Sequence, residues 1–369
     1  MKIVISTYHA SHNYGAVLQA NALATYLRDI HSAEVSFLNY RPPESMNAYK
    51  LFVPFKGLPS LRHNLNTLKN YRSLKDRSRA FVSFQQKHFK LTREYGSLAQ
   101  IVADPPDADA FITGSDQVFR YKGAVSEPYY LAFCPELEKR SIAYAPSFGA
   151  STVSPAHSAR VAQLLRDLDH LSCRENAGAA LIRELTGLEV PVVVDPVFLL
   201  PREQWLGMSA NPGVSGAYIL VYALVGYKEQ LKLAARLKSL QNLPIVLIHG
   251  VRVRDKVVNS CFCSASPEQF VGLFANASCV VTDSFHGTAF SLLLQKDFFS
   301  YIAVEKSSAR IRNLLDEIGL TSRIAISPDS IQACNLSIDY ADVETRLSLL
   351  IGKSKQYLDQ ALLSVEGDV

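Results

Sequence analysis

The stretch CVVTDSFHGTAFSLLLQKDFFSYIAV, residues 279–304, reads in turn as strand, loop, helix and strand. CVVTDS is a short β-branched run, GTAFSLLLQ repeats apolar residues at helical spacing, and FFSYIAV returns to an extended apolar run. Two strands joined by a helix run parallel, because the crossover brings the chain back to the same end of the sheet. The loop at the carboxyl end of the first strand holds an acid, a hydroxyl, an aromatic ring and a histidine: Asp283, Ser284, Phe285 and His286. A helix opening near Gly287 points its first amides at whatever binds there, and an anion suits them best. Histidine titrates near neutrality, so beside such a site it can move a proton.

The same alternation runs in both directions. Towards the amino terminus lie the strands KIVIST and EVSFLNY around the helix AVLQANALATYLRDI, then DAFITGSDQVF, SIAYAPSFG, HLSCRE and VPVVVDPVFLL, with helices PAHSARVAQLLRDLD and NAGAALIRELTG between them. A second series begins at AYILVYAL and continues through KEQLKLAARLKSLQ, PIVLIHG and SPEQFVGLFANA into the opening stretch, then to ARIRNLLDEIG. NPGVSG, residues 211–216, has the composition of a linker between the two series. The sequence therefore predicts an α/β chain of two doubly wound Rossmann-like domains facing across a cleft: residues 1–210, residues 211–340, and a closing helix over 341–366. Residues 41–100 break the rhythm with prolines and a basic helical run, and read as an insertion in the first domain that serves as a lid or partner surface.

Composition narrows the function. The 369 residues are 48% hydrophobic and 20% charged with a net charge of +4, which describes a globular protein and leaves no dense basic face for nucleic acid. Six scattered cysteines do not make a disulfide framework, and the one close pair, Cys261 and Cys263, is spaced too tightly for a zinc knuckle. MKIVISTYHAS reads as a first strand rather than a leader, and no apolar run reaches the ~20 residues of a membrane span. A soluble, cytoplasmic protein is expected.

In open parallel sheets, ligands bind beyond the carboxyl ends of the strands. HASHNYG follows the first strand there, and Asn13, Tyr14 and Gly15 sit where it turns into a helix. TGSDQVF puts Ser115, Asp116 and Gln117 after a buried strand; a carboxylate beside an amide suits sugar hydroxyls. SCREN ends a short strand with Arg174, whose guanidinium suits a phosphate or carboxylate, or an ion pair.

GSDQVF, SCREN, DPVFLL and DSFHGTAFSLLL, in this order and spacing, resemble the polysaccharide pyruvyl transferases. The resemblance runs from NYGAVLQANAL to ARIRNLLDEIGL, over most of the chain, and its specificity lies in the ordered set rather than in one motif. It implies an architecture similar to two-domain GT-B glycosyltransferases. It also implies a transferase that moves the enolpyruvyl unit of phosphoenolpyruvate onto a sugar, closing a ketal across two hydroxyls and releasing phosphate, in capsule or exopolysaccharide biosynthesis. By the resemblance, His286 matches the histidine assigned as general acid, and Arg174 matches an arginine assigned to phosphoenolpyruvate. Several relatives carry an arginine two residues before the histidine; this chain has Ser284 there, and Lys306 and Arg310 are the candidates to replace its charge.

The donor is thus expected on Arg174, Ser284, Lys306, Arg310 and the amides about Phe285 and Gly287, and the acceptor on Asn13, Tyr14, Gly15, Ser115, Asp116 and Gln117. No metal and no cofactor beyond the co-substrate phosphoenolpyruvate is expected. The acceptor is expected to be a lipid-linked or nucleotide-linked sugar, with peripheral membrane contact and a homo-oligomer left open. The rivals are a nucleotide-sugar glycosyltransferase on the same architecture and a non-catalytic glycan-binding protein.

Overall fold

In the computed structural model, which describes residues 1–42, 51–55, 57–224, 226–302, 309–333 and 336–366, the apolar runs form two parallel sheets. The first contains β1 (Lys2–Ser6), β2 (Glu34–Tyr40), β3 (Leu91–Tyr95), β4 (Ala110–Thr113), β5 (Arg140–Ala143) and β6 (His170–Leu171), in the order β3-β2-β1-β4-β5-β6. The second contains β7 (Ile219–Tyr222), β8 (Ile245–Ile248), β9 (Ser260–Phe262), β10 (Cys279–Thr282), β11 (Asp297–Tyr301) and β12 (Ile324–Ala325), in the order β12-β11-β10-β7-β8-β9. Numbered from its own first strand, each sheet has the doubly wound order in which the chain reverses direction beside that strand. The reversal points are β1/β4 and β7/β10, and ligands bind at the carboxyl ends of such pairs.

Central strands such as β4, β7, β8 and β10 are buried along their whole length, which is why they read as unbroken apolar runs rather than as alternation. Helix α1 (Tyr14–His31) is buried on nearly every side, from Tyr14 to Ala24, so it is a core helix and not a surface one. The other helices used below are α2 (Leu58–His88), α3 (Asn176–Thr186), α4 (Arg202–Met208), α5 (Pro267–Asn276), α6 (Phe285–Leu293), α7 (Ala309–Glu317) and α8 (Tyr340–Glu366).

The chain divides into two compact units: Met1–Met46, Gln85–Leu200 and Arg346–Val369 in one, Asn47–Phe84 and Pro201–Thr345 in the other. The division falls ahead of residues 211–216, because α4 buries Trp205 edge-on against Phe290 of the second unit, with ring centroids 4.9 Å apart. Just ahead of 211–216 the chain is tied to α5, where Ala210 N–H donates to Glu268 O at 3.0 Å. Most of the basic helix α2 groups with the second unit rather than with the first. Helix α8 is shared: Tyr340 Oη donates to Lys296 O at 2.6 Å in the second unit, while further on Ser354 Oγ accepts from Val194 N in the first.

VPVVVDPVFLL is not a strand. Only Val192 pairs, in a lone bridge with Cys173, and Pro196–Leu199 forms a tight 3-10 turn capped by Asp195, which accepts from Val197 N. Gly272 in α5 is needed for packing: a Cβ there would stand 2.0 Å from the Ala210 carbonyl oxygen. Because backbone must move to relieve that clash, Gly272→Ala is expected to cost about 1–3 kcal/mol, read as a lowered unfolding midpoint in urea.

Candidate active site

At the carboxyl end of β10, helix α6 begins two residues earlier than the sequence suggests. Ser284 is its N-cap, with φ −95° and ψ 133°, and its Oγ accepts from Gly287 N at 3.3 Å. His286 therefore lies within the first helical turn, 6% exposed, with its ring edge-on to Phe285 at 5.4 Å. Gly287 lets the turn settle onto β10, since a Cβ there would meet Thr282 Oγ1 at 2.2 Å. Thr282 cannot readily yield: its Oγ1 donates to Tyr222 O at 2.8 Å and accepts from Ser284 N at 3.1 Å. Thr288 is tied to Ser300 at 2.7 Å, and Ser291 Oγ donates to Gly287 O at 2.8 Å, so the turn is fixed from both sides. Asp283 Oδ1 accepts from Leu224 N at 2.7 Å, joining the loops after β7 and β10 across the reversal point. Phe285, His286 and Gly287 carry the first-turn amides, the last taken by the cap. Arg310, half-buried in the first turn of α7, is on a helix that packs against α6. Lys306 lies outside the described residues.

In the first unit the structure gives Arg174 a different place from the expected one. Its side chain is 1% exposed and enclosed by carboxylates. Nη1 lies 2.6 Å from Asp195 Oδ2, Nη2 3.9 Å from Asp116 Oδ1, and Nε 3.8 Å from Glu175 Oε2. Burial works against the guanidinium's charge, but Asp195, Asp116 and Glu175 overcome it and hold the pKa above its ordinary value. Ser115 is also enclosed: its Oγ donates to Ala145 O at 2.7 Å and accepts from Arg174 Nη1 at 3.3 Å. These residues form a buried ionic strut under the loops after β4 and β5, not an open anion site.

Above the strut the backbone is strained. Asp116 sits at φ 74° and ψ −170°, a region otherwise almost restricted to glycine, and Ala145 is at φ 53°. Asp116 is held by its own side chain, which accepts from Gln117 N at 2.8 Å, and by Ser147 N, which donates to Asp116 O at 2.8 Å. The Gln117 side chain lies over Gly149, where a Cβ would stand 2.6 Å from its amide carbon. Asp116 and Gln117 are both partly open to solvent. Across the β1/β4 reversal, Asn13 is the partly exposed N-cap of α1, whereas Tyr14 and Gly15 are buried in the helix. Of the six residues expected to hold the acceptor, Asn13, Asp116 and Gln117 are partly open to solvent, and Tyr14, Gly15 and Ser115 are buried.

Sequence reasoning overlooked Asp195 and Glu175. Asp195 was legible only as part of VPVVVDPVFLL, read as a strand, although a buried aspartate there needs a cation. His9, in the HASHNYG loop after β1, is 2% exposed, with Nδ1 3.3 Å from Thr7 O. Burial holds its pKa at about 4, with Arg41 also lowering it and Thr7 and Asn39 acting the other way. An unfolded histidine titrates near 6.5, so the unfolded chain binds the proton first on acidification. Stability from this group is complete above pH ~6.5 and is lost between there and ~4, a loss of ~3 kcal/mol. His9→Asn is expected to flatten that part of the pH–stability curve, measured by urea unfolding.

A sequence profile of the polysaccharide pyruvyl transferase family matches residues 13–304. The chain belongs to that family. No curated protein sequence matches it. Among solved structures it is similar to UGT89C1 of Arabidopsis thaliana complexed with UDP-L-rhamnose, at 12% identity and TM-score 0.53 over 99% of this chain and 98% of that one. The same Arabidopsis protein, in a structure whose description names no ligand, gives 12% identity and TM-score 0.52 over 99% of each chain. At these identities the likeness is one of fold, the GT-B class of two doubly wound sheets. The pyruvyl transferase match includes Asn13, Asp116, Gln117, Arg174 and His286, and ends before Lys306 and Arg310. A cavity of about 340 Å³ lies elsewhere, by the amino ends of β1 and β2, lined by Lys2, Glu34, Lys90 and Asp107, which pair among themselves.

Proposed function

We propose that this pyruvyl transferase takes phosphoenolpyruvate as donor and forms a pyruvate ketal on a sugar of a cell-surface or exported polysaccharide. The observation that carries the reading is His286 in the first turn of α6 at the β7/β10 reversal, inside the segment matched to the family. The amides of that turn suit the donor's carboxylate and phosphate, and Arg310 on the neighbouring helix supplies positive charge in place of the arginine that Ser284 replaces. His286 gives its proton to the methylene carbon, and positive character develops at the adjacent carbon. A sugar hydroxyl oxygen attacks that carbon and its proton returns to His286, the bond to the phosphate oxygen breaks, and a second hydroxyl closes the ketal as its proton passes to the departing phosphate. Cationic and amide groups fixed beforehand stabilise charge on the departing phosphate. Asn13, Asp116 and Gln117 are the acceptor's ligands, with the Arg174 strut holding Asp116 in its strained conformation.

The test is phosphate release from phosphoenolpyruvate across a panel of lipid-linked and nucleotide-linked sugars, with the product's added ketal read by mass spectrometry. Release that depends on one acceptor supports the proposal. Stabilisation by nucleotide sugars, with transfer of a glycosyl unit and no use of phosphoenolpyruvate, overturns it.

A further inference from the structure

Helix α2 carries a feature that the reaction does not use. Leu58, Leu61, Leu65 and Leu68 recur at spacings of three and four, so they share one face, and all four are 42–75% exposed. The opposite face is anchored, with Thr67, Phe81 and Phe84 buried, so the leucine face is turned outward by packing. Just ahead of the helix, Phe52 and Phe55 are also exposed.

The same helix is strongly basic. Arg62, Lys69, Arg72 and Arg79 border the leucines or continue their face, and Lys75, Arg77 and Lys87 add to them, against Asp76 as its one acidic residue. Asp76 is paired with Arg79 at 3.8 Å. The helix alone thus carries more positive charge than the +4 of the whole chain. Leucines flanked by arginine and lysine are the composition of a helix that lies in a membrane interface, its apolar side in the acyl boundary and its cations among the headgroups.

We infer that α2 docks the enzyme on an anionic lipid bilayer. Charge decides between this and a second copy of the chain: a two-fold pairing sets the same patch against itself and brings two strongly cationic helices together. An anionic bilayer neutralises them while it covers the leucines. No helix among the described residues is long and apolar enough to span a membrane, so the contact is peripheral. The inference deepens the proposed function in one respect: it places the acceptor among lipid-linked sugars.

The experiment is sedimentation of the full chain with phosphatidylcholine vesicles, with and without phosphatidylglycerol. Binding is expected to need phosphatidylglycerol and to weaken with salt. Arg62→Gln, Lys69→Gln and Arg72→Gln together should weaken it about a hundredfold, at about fivefold per charge near the surface. Leu61→Ser, Leu65→Ser and Leu68→Ser together should weaken it about tenfold or more, with circular dichroism confirming the fold. Absence of binding to phosphatidylglycerol vesicles overturns the inference, as does equal binding by the leucine variant or a dimer that only the leucine substitutions dissociate. Because vesicle binding needs no turnover, a chain that pyruvylates a water-soluble sugar but ignores vesicles refutes the membrane contact alone.

Discussion

His286→Ala is expected to lower pyruvyl transfer ~10²–10⁴-fold, the usual loss for a general acid, while phosphoenolpyruvate still binds. The expectation follows from where the ring sits. In the proposed mechanism the donor's anionic groups lie on the first amides of α6, a turn held by the Ser284 cap and not by the imidazole, so removing the ring should spare the donor's KM and reduce kcat. His286→Gln keeps some of the volume but cannot deliver the proton, and should resemble alanine rather than the wild type. Since His286 is enclosed, circular dichroism and thermal unfolding must first show both variants folded. Full turnover in a folded His286→Ala variant would remove the acid from the mechanism. A large rise in KM with unchanged kcat would make the residue a donor ligand instead.

The sheets were legible because their central strands are buried on both faces and carry unbroken apolar runs, as in IVIS and AFIT. The edges were not. LTREY of β3 and SCF of β9 lie at the ends of their sheets, mostly open to water, and carry too few apolar residues to mark themselves. The place of His286 in the fold was legible because its signal is local, a strand running into a helix. The start of α6 was misjudged by two residues because the cap is a serine without the acidic partner three residues on that marks a capping box. Arg174 shows the opposite limit. Its position at a strand end was legible, but its partner Asp195 lies 21 residues away beyond α3, and only tertiary folding reveals that the charge is already answered. The strain at Asp116 left no mark either, since aspartate in a loop reads as an ordinary cap.

Arg174→Met is expected to destabilise the first unit by about 3–5 kcal/mol, the cost of leaving one partner of a buried ion pair alone. Asp195 would then be a carboxylate with 0% side-chain exposure and without its cation at 2.6 Å. Ser115 would lose the Nη1 donor, and the loop carrying Asp116 would lose the charge beneath it. The effect on catalysis should follow from that loop: a raised KM for the sugar, with the KM for phosphoenolpyruvate nearly unchanged. Replacing both partners with apolar residues of similar size, Arg174→Met with Asp195→Leu, should recover part of the stability, because neither charge is then stranded. The acceptor defect should persist in that pair, since Asp116 has still lost its counter-charge. Urea unfolding and steady-state kinetics on the two variants separate this account from a direct role in donor binding. Unchanged stability with a raised KM for phosphoenolpyruvate would show that the guanidinium faces the donor after all. A stability loss with an acceptor-only kinetic defect would show that Arg174 acts through Asp116.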